Sequence, residues 1–200
     1  MYAEPLIVLL TFVASLGFVY GHRIFPTRSG NAPAVLDKFV DSSGRRILPE
    51  QMKQADCVAI VPGFDKASAG DYTAFGHGVI TCRDAERWSA PVAVTLESSN
   101  PAVKIGRQKM DIVMLSMDRN QRQRLLAGPF TIGQDAAAEW GKGRSADPNS
   151  KVLFFGRTKD AFAEFDLDGA TLKPDHSGSK ALVTPKVAQA LVNKLAATFN

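Results

Sequence analysis

Cysteine and histidine are scarce in this chain of 200 residues, which has two cysteines (Cys57, Cys82) and three histidines (His22, His77, His176). Neither cysteine belongs to a closely spaced pair and the histidines are isolated, so no metal site of familiar spacing is written here. The HExxH helix of a zinc hydrolase and the GxSxG elbow of a serine hydrolase are both missing. Asp166-x-Asp168-Gly169 copies a fragment of a calcium loop without the later ligands. GKGRSA, Gly141 to Ala146, has the form GxGxxA but follows AAAEW and runs into Asp147-Pro148-Asn149, so no helix opens behind it to receive a dinucleotide phosphate. The chain carries no internal repeat and no low-complexity tract. What remains for catalysis is a constellation assembled from distant residues, which only fold context can define. The reading is therefore of a protein without catalysis, cofactor or metal.

Long apolar runs are also few. Leu6 to Tyr20 carries no charge, and Met1 to Pro5 ahead of it offers only Glu4 and no base. Fifteen residues fall short of the ~20 a spanning helix needs, so residues 1–21 read as a signal peptide, with Val19-Tyr20-Gly21 near its cleavage point, or as a retained N-terminal anchor. Both readings put the domain outside the cytosol, periplasmic or secreted. Without residues 1–21 the formal charge rises from +4 to +5, because 24 bases then face 20 − 1 = 19 acids. A surplus of that size suits anionic partners such as lipid headgroups, and falls well short of the basic density of a nucleic-acid binder. Cys57 and Cys82 fit either one disulfide in an exported protein or a reduced buried pair.

What is present is regular. After a flexible stretch over residues 22–33, Ala34 to Val40 (AVLDKFV) spaces Val35, Leu36, Phe39 and Val40 as a helix, stopped by Asp41-Ser42-Ser43-Gly44. Pro49 to Gln54 forms a second helix with proline in its first turn. Apolar runs at Cys57 to Val61, Gly78 to Thr81, Val92 to Leu96 and Met110 to Ser116 are strands at about ten-residue spacing, which signals antiparallel pairing. A helix over Arg119 to Ala127, capped by Asp118, ends at Gly128-Pro129. Lys151 to Phe155 and Phe162 to Leu167 are further strands, with Gly169 to Leu172 leaving a turn. The final segment, residues 185–200, is an amphipathic helix whose Val187, Leu191, Val192 and Leu195 share one side. The fold class is α+β, an antiparallel sheet or partly closed barrel flanked by N- and C-terminal helices.

The stretch FGHGVITCRDAERWSAPVAV, Phe75 to Val94, mixes glycine, histidine, cysteine and tryptophan in the way that active sites and tight β-structure both do. Its place in a series decides between them. ADCVAIVPGFDKA, GHGVITCRD, WSAPVAVTL, KIGRQKMDIVMLSM, LLAGPFTIGQDAAAEWGKG and FAEFDLDGATLKPD follow one another in an order that resembles the SYLF domain, a lipid-binding family of actin-patch adaptors and exported bacterial proteins. The resemblance spans about Ala34 to Asp175 within a domain of residues 34–184. It implies that Gly76 to Val79 and Trp88 to Pro91 belong to the β framework, with Trp88 a core aromatic, and that His77 is structural or exposed.

For function, the resemblance implies non-catalytic binding of acidic lipid through basic residues and an amphipathic N-terminal helix. On this chain those are Ala34 to Val40 with Lys38, then Arg45 and Arg46; the helix either dips into a membrane or packs on the sheet. Three family sites that are glycine-rich depart here, at Ser98 to Gly106, Gly141 to Arg144 and Phe155 to Phe165. These substitutions bring the cations Lys104, Lys142, Arg157 and Lys159, and Lys104, Arg107, Lys142, Arg144 and Arg157 join Lys38, Arg45 and Arg46 as the expected lipid contacts. An alternative partner is a protein, held by sheet edges or by the helix at residues 185–200.

Overall fold

In the computed structural model residues 31–40, 47–66, 74–99, 109–136, 138–140, 151–159, 165–175 and 183–199 are described. The Leu6 to Tyr20 segment, Gly141 to Ala146 and His176 all fall outside them. Among the described residues no helix is long and apolar enough to cross a membrane.

The central strands are apolar at both parities, which means that both faces of the sheet are covered. These are β1 (Cys57–Lys66), β2 (Ala74–Asp84), β4 (Val92–Ser98), β5 (Met110–Ser116) and β8 (Val152–Arg157); β3 (Arg87–Trp88) folds back on β2, while β6 (Phe130–Thr131), β7 (Ala138–Trp140) and β9 (Thr171–Asp175) complete the set. They lie in the order β6-β9-β4-β2-β1-β5-β8-β7 as one curled sheet, antiparallel except for the β7–β8 pair at its edge. Cys57, Ala59, Val61, Ile80, Ile112, Met114 and Phe154 point to one face, where Leu125, Phe130 and Phe165 close over them. Val58, Ile60, Val79, Val113, Leu115 and Phe155 point to the other.

That second face is roofed by three helices. In α1 (Ala32–Val40) the residues Ala32, Val35, Leu36 and Phe39 are buried; α2 (Pro49–Gln54) adds Met52, and α4 (Pro185–Phe199) adds Leu191 and Leu195. The spacing of each buried set is three or four residues, the interval that places side chains on one side of a helix. Helices thus flank the sheet at both ends of the chain, and the architecture is α+β, as the sequence implies.

Several boundaries move. Helix α1 starts at Ala32, taking Pro33 into its first turn, where a missing N–H is no loss. Strand β1 runs past Pro62-Gly63 to Lys66 by means of a bulge, and β2 takes in all of Ala74–Asp84. No strand covers the described part of Phe162 to Leu167, where Asp166 makes one isolated bridge and Phe165 and Leu167 are buried in the core. β9 begins only at Thr171 because Gly169, at φ 76°, is still inside the turn.

Helix α3 (Gln121–Ala127) begins two residues later than its sequence suggests. The Asp118 carboxylate accepts the Asn120 N–H at 2.9 Å, and the Gln121 N–H bonds the Asp118 carbonyl, so Asp118 caps a turn ahead of the helix rather than the helix itself. The Asn120 N–H, together with Lys151 at 3.2 Å, holds the Asp118 carboxyl below the usual carboxylate range. A carboxyl whose pKa is lower folded than unfolded adds stability above its unfolded value of about 3.9, and that contribution goes as pH falls through the folded value. Acid titration of wild type against Asp118→Asn should therefore converge below about pH 4 and diverge above it; a constant difference in unfolding midpoint across that range would contradict this account.

Candidate functional site

The bulge in β1 organises one end of the sheet. Along the β1–β5 pairing Val61 sits opposite Ile112 and Phe64 opposite Met110, so Pro62 and Gly63 together face Asp111. Gly63 takes φ 61°, a left-handed conformation that glycine adopts without penalty. Such a bulge leaves ladder groups without a strand partner, and here the Gly63 N–H is donated to Asp111 Oδ1 at 3.0 Å.

The other oxygen of that carboxylate reaches α1. Lys38 Nζ lies 2.9 Å from Asp111 Oδ2. Arg157 is the register partner of Asp111 on β8, and its Nη1 donates to the Lys38 carbonyl oxygen at 3.0 Å. Lys38 and Arg157, 119 positions apart in sequence, are thereby brought together over one carboxylate. Next to them a cleft of about 440 Å³ has Ala34, Val35 and Pro62 as apolar wall and Lys38, Lys109 and Asp111 as polar rim. Lys109 also pairs with Asp65 at 3.5 Å.

The strand register brings Lys66, Lys109, Arg157 and Lys159 to the same end of the sheet, where Lys38 pairs with Asp111 and Lys109 with Asp65. At the opposite end Arg119 lies against Asp56, Arg122 against Asp84 and Lys151 against Asp118. A second cleft, of about 670 Å³, runs between α1 and α4, and Lys194 pairs with Asp37 across it.

Of the residues expected to contact lipid, Lys38 and Arg157 are at the bulge. Arg45, Arg46, Lys104, Arg107, Lys142 and Arg144 lie outside the described residues. The alternative left open for the N-terminal helix is resolved in favour of packing, since Val35, Leu36 and Phe39 are each at most 2% exposed against the sheet. Asp111, Lys109 and Gly63 were not singled out by sequence. A Pro-Gly pair inside an otherwise apolar strand is the signal for Gly63, because it marks a bulge, whereas nothing local marks Asp111 or Lys109.

The glycine-rich stretch around His77 is framework. An added Cβ at Gly78 would run into the Ile60 carbonyl oxygen, with the Ile60 carbonyl carbon and Val61 Cα at 2.9 Å; at Gly76 it would meet Val61 Cγ1 at 2.7 Å. Trp88 is buried, with the Arg83 guanidinium 4.9 Å from its ring centroid. His77 is exposed, bonds Thr95 Oγ1 through Nδ1 at 3.1 Å, and stacks edge-on with the exposed Phe75 ring at 5.8 Å. Cys57 and Cys82 are joined in a disulfide. Among the described residues no three His, Cys, Asp or Glu side chains gather as metal ligands.

Neither a protein-family model nor a curated protein matches this chain.

Proposed function

We propose that this chain is a non-catalytic SYLF-like domain that works outside the cytosol and binds anionic lipid headgroups at the bulge end of its sheet. The observation that carries the reading is the cleft rimmed by Lys38 and Lys109, at the end of the sheet where β1 and β8 finish in Lys66 and Arg157. Each lysine or arginine near an anionic surface contributes ~1 kcal/mol. The order of short motifs along the chain supports the family side of the reading. The disulfide supports an oxidising compartment, where such bonds persist.

Because the apolar side of α1 is committed to the core, attraction to the membrane is electrostatic and weakens as salt shortens the screening length to about 8 Å at physiological strength. The full chain should sediment with vesicles in proportion to their anionic lipid content, and less at 0.15 M salt. Charge reversal at Lys66 and Lys159, which make no ion pair among the described residues, should lower the bound fraction at least tenfold while leaving the unfolding midpoint in place. Binding indifferent to salt, to lipid charge and to these two substitutions would end the proposal.

A further inference from the structure

Cys57 and Cys82 expose none of their surface. They stand directly opposite each other on the last rung of the β1–β2 ladder, next to the Arg83 N–H that bonds the Asp56 carbonyl at 2.7 Å. The chain joins the other ends of the two strands, so the disulfide closes a covalent ring over 25 positions of sequence. That ring is the centre of the sheet, with β5 on one flank and β4 on the other. The two cysteines belong to the buried cluster that holds Ala59, Ile80, Met114 and Val152, and the buried Asp56 carboxylate lies 3.9 Å from Cys57 Sγ, so with no exposed surface on either cysteine a solvent thiolate has no direct access to the sulfurs.

We propose that this disulfide is a concealed redox lock: it forms only where a disulfide-bearing oxidant is at hand, and the folded sheet then shields it from reductants. In its formation the two thiols give up two protons and two electrons to make one S–S bond, and the oxidant's own disulfide takes them and leaves as two thiols. Reversal requires a thiolate to attack one of the sulfurs in line, and in the folded domain that approach opens only when β1 and β2 separate. Closing a ring of about 25 residues removes enough chain entropy from the unfolded state to favour folding ~300-fold, or ~3.5 kcal/mol. The domain therefore holds its fold in an oxidising compartment and becomes far weaker if it unfolds in a reducing one. This inference stands apart from lipid binding and rests on the burial and register of one pair.

The test uses the full-length oxidised chain, dithiothreitol as reductant and iodoacetamide to label freed thiols, read by mass. In native buffer with dithiothreitol the chain should stay unlabelled for hours, and in urea above the midpoint it should take up two labels at once. Between these limits the labelling rate should rise with urea as steeply as global unfolding does. Urea melts with dithiothreitol present should show the folding equilibrium weakened by about 300-fold, or no folded state at all, and either result supports the lock. Labelling in native buffer at the rate seen in urea would overturn it, as would equal stability with and without dithiothreitol, or free thiols in chain refolded with glutathione disulfide.

Discussion

Gly78→Ala should destabilise the domain by at least ~3 kcal/mol, the upper range for forcing atoms into a packed interior. The obstacle is backbone: the Ile60 carbonyl oxygen stands where the new methyl must go, and the next nearest atoms are the Ile60 carbonyl carbon and Val61 Cα. No rotamer change can clear it. Relief would need β1 to move away from β2, breaking the rungs Ile60–Val79 and Ala59–Ile80 at the centre of the sheet. Gly76→Ala is the control, since its first obstacle is a side-chain methyl, Val61 Cγ1 at 2.7 Å. Combining it with Val61→Ala should recover a measurable part of the Gly76→Ala loss, whereas the same second substitution should leave the Gly78→Ala loss unchanged. Urea denaturation of the two double-mutant cycles decides the matter; a Gly78→Ala variant within 1 kcal/mol of wild type would mean that the strands are not held this closely.

Phe39→Ala should cost ~3–5 kcal/mol, the usual range for emptying a fully buried aromatic site. Phe39 has no exposed surface and ties α1 to the same core as Val58, Ile60 and Val113. The loss reaches the bulge as well, because Lys38 is its chain neighbour and gives both its ammonium to Asp111 and its carbonyl to Arg157. Ala34→Ser, on the exposed side of the same helix, should stay within about 0.5 kcal/mol. Limited proteolysis gives a second reading: cleavage near α1 should accelerate in Phe39→Ala and not in Ala34→Ser. If both variants unfold at the same urea concentration, α1 contributes nothing to the core.

The elements most legible in the sequence are those whose ends are fixed by local chemistry. Pro49 and Pro185 fix the starts of α2 and α4, and the apolar run from Met110 to Ser116 coincides with β5 from end to end. Elements that depend on distant partners were not legible. β3, β6 and β7 are two or three residues long and exist only because β2, β9 and β8 offer them an edge. The start of α3 was misplaced because an aspartate two residues before an amide reads the same in sequence whether it caps a turn or a helix.

The candidate site divides in the same way. Lys38 and Arg157 were singled out for separate reasons, one as part of a helix and one as a cation replacing family glycines. Their meeting depends on the register that sets Asp111 opposite Arg157 and on the extra residue in β1 that turns Gly63 toward the carboxylate. Neither the register nor the bulge partner can be read from composition or periodicity, since Asp111 looks like any acid at the start of an apolar strand.

The ring closed by Cys57 and Cys82 also sets how the domain answers a mechanical pull. Force applied to the two ends of the chain passes from one strand to the other through sulfur, and the segment between residues 57 and 82 is never stretched. At ~3.3–3.6 Å per extended residue this hides ~85 Å of contour length. Under such a load the oxidised domain would give way by a shorter stroke than the reduced one, and the strands joined by the disulfide would stay linked as a seed on which the outer strands can pair again once the load is removed.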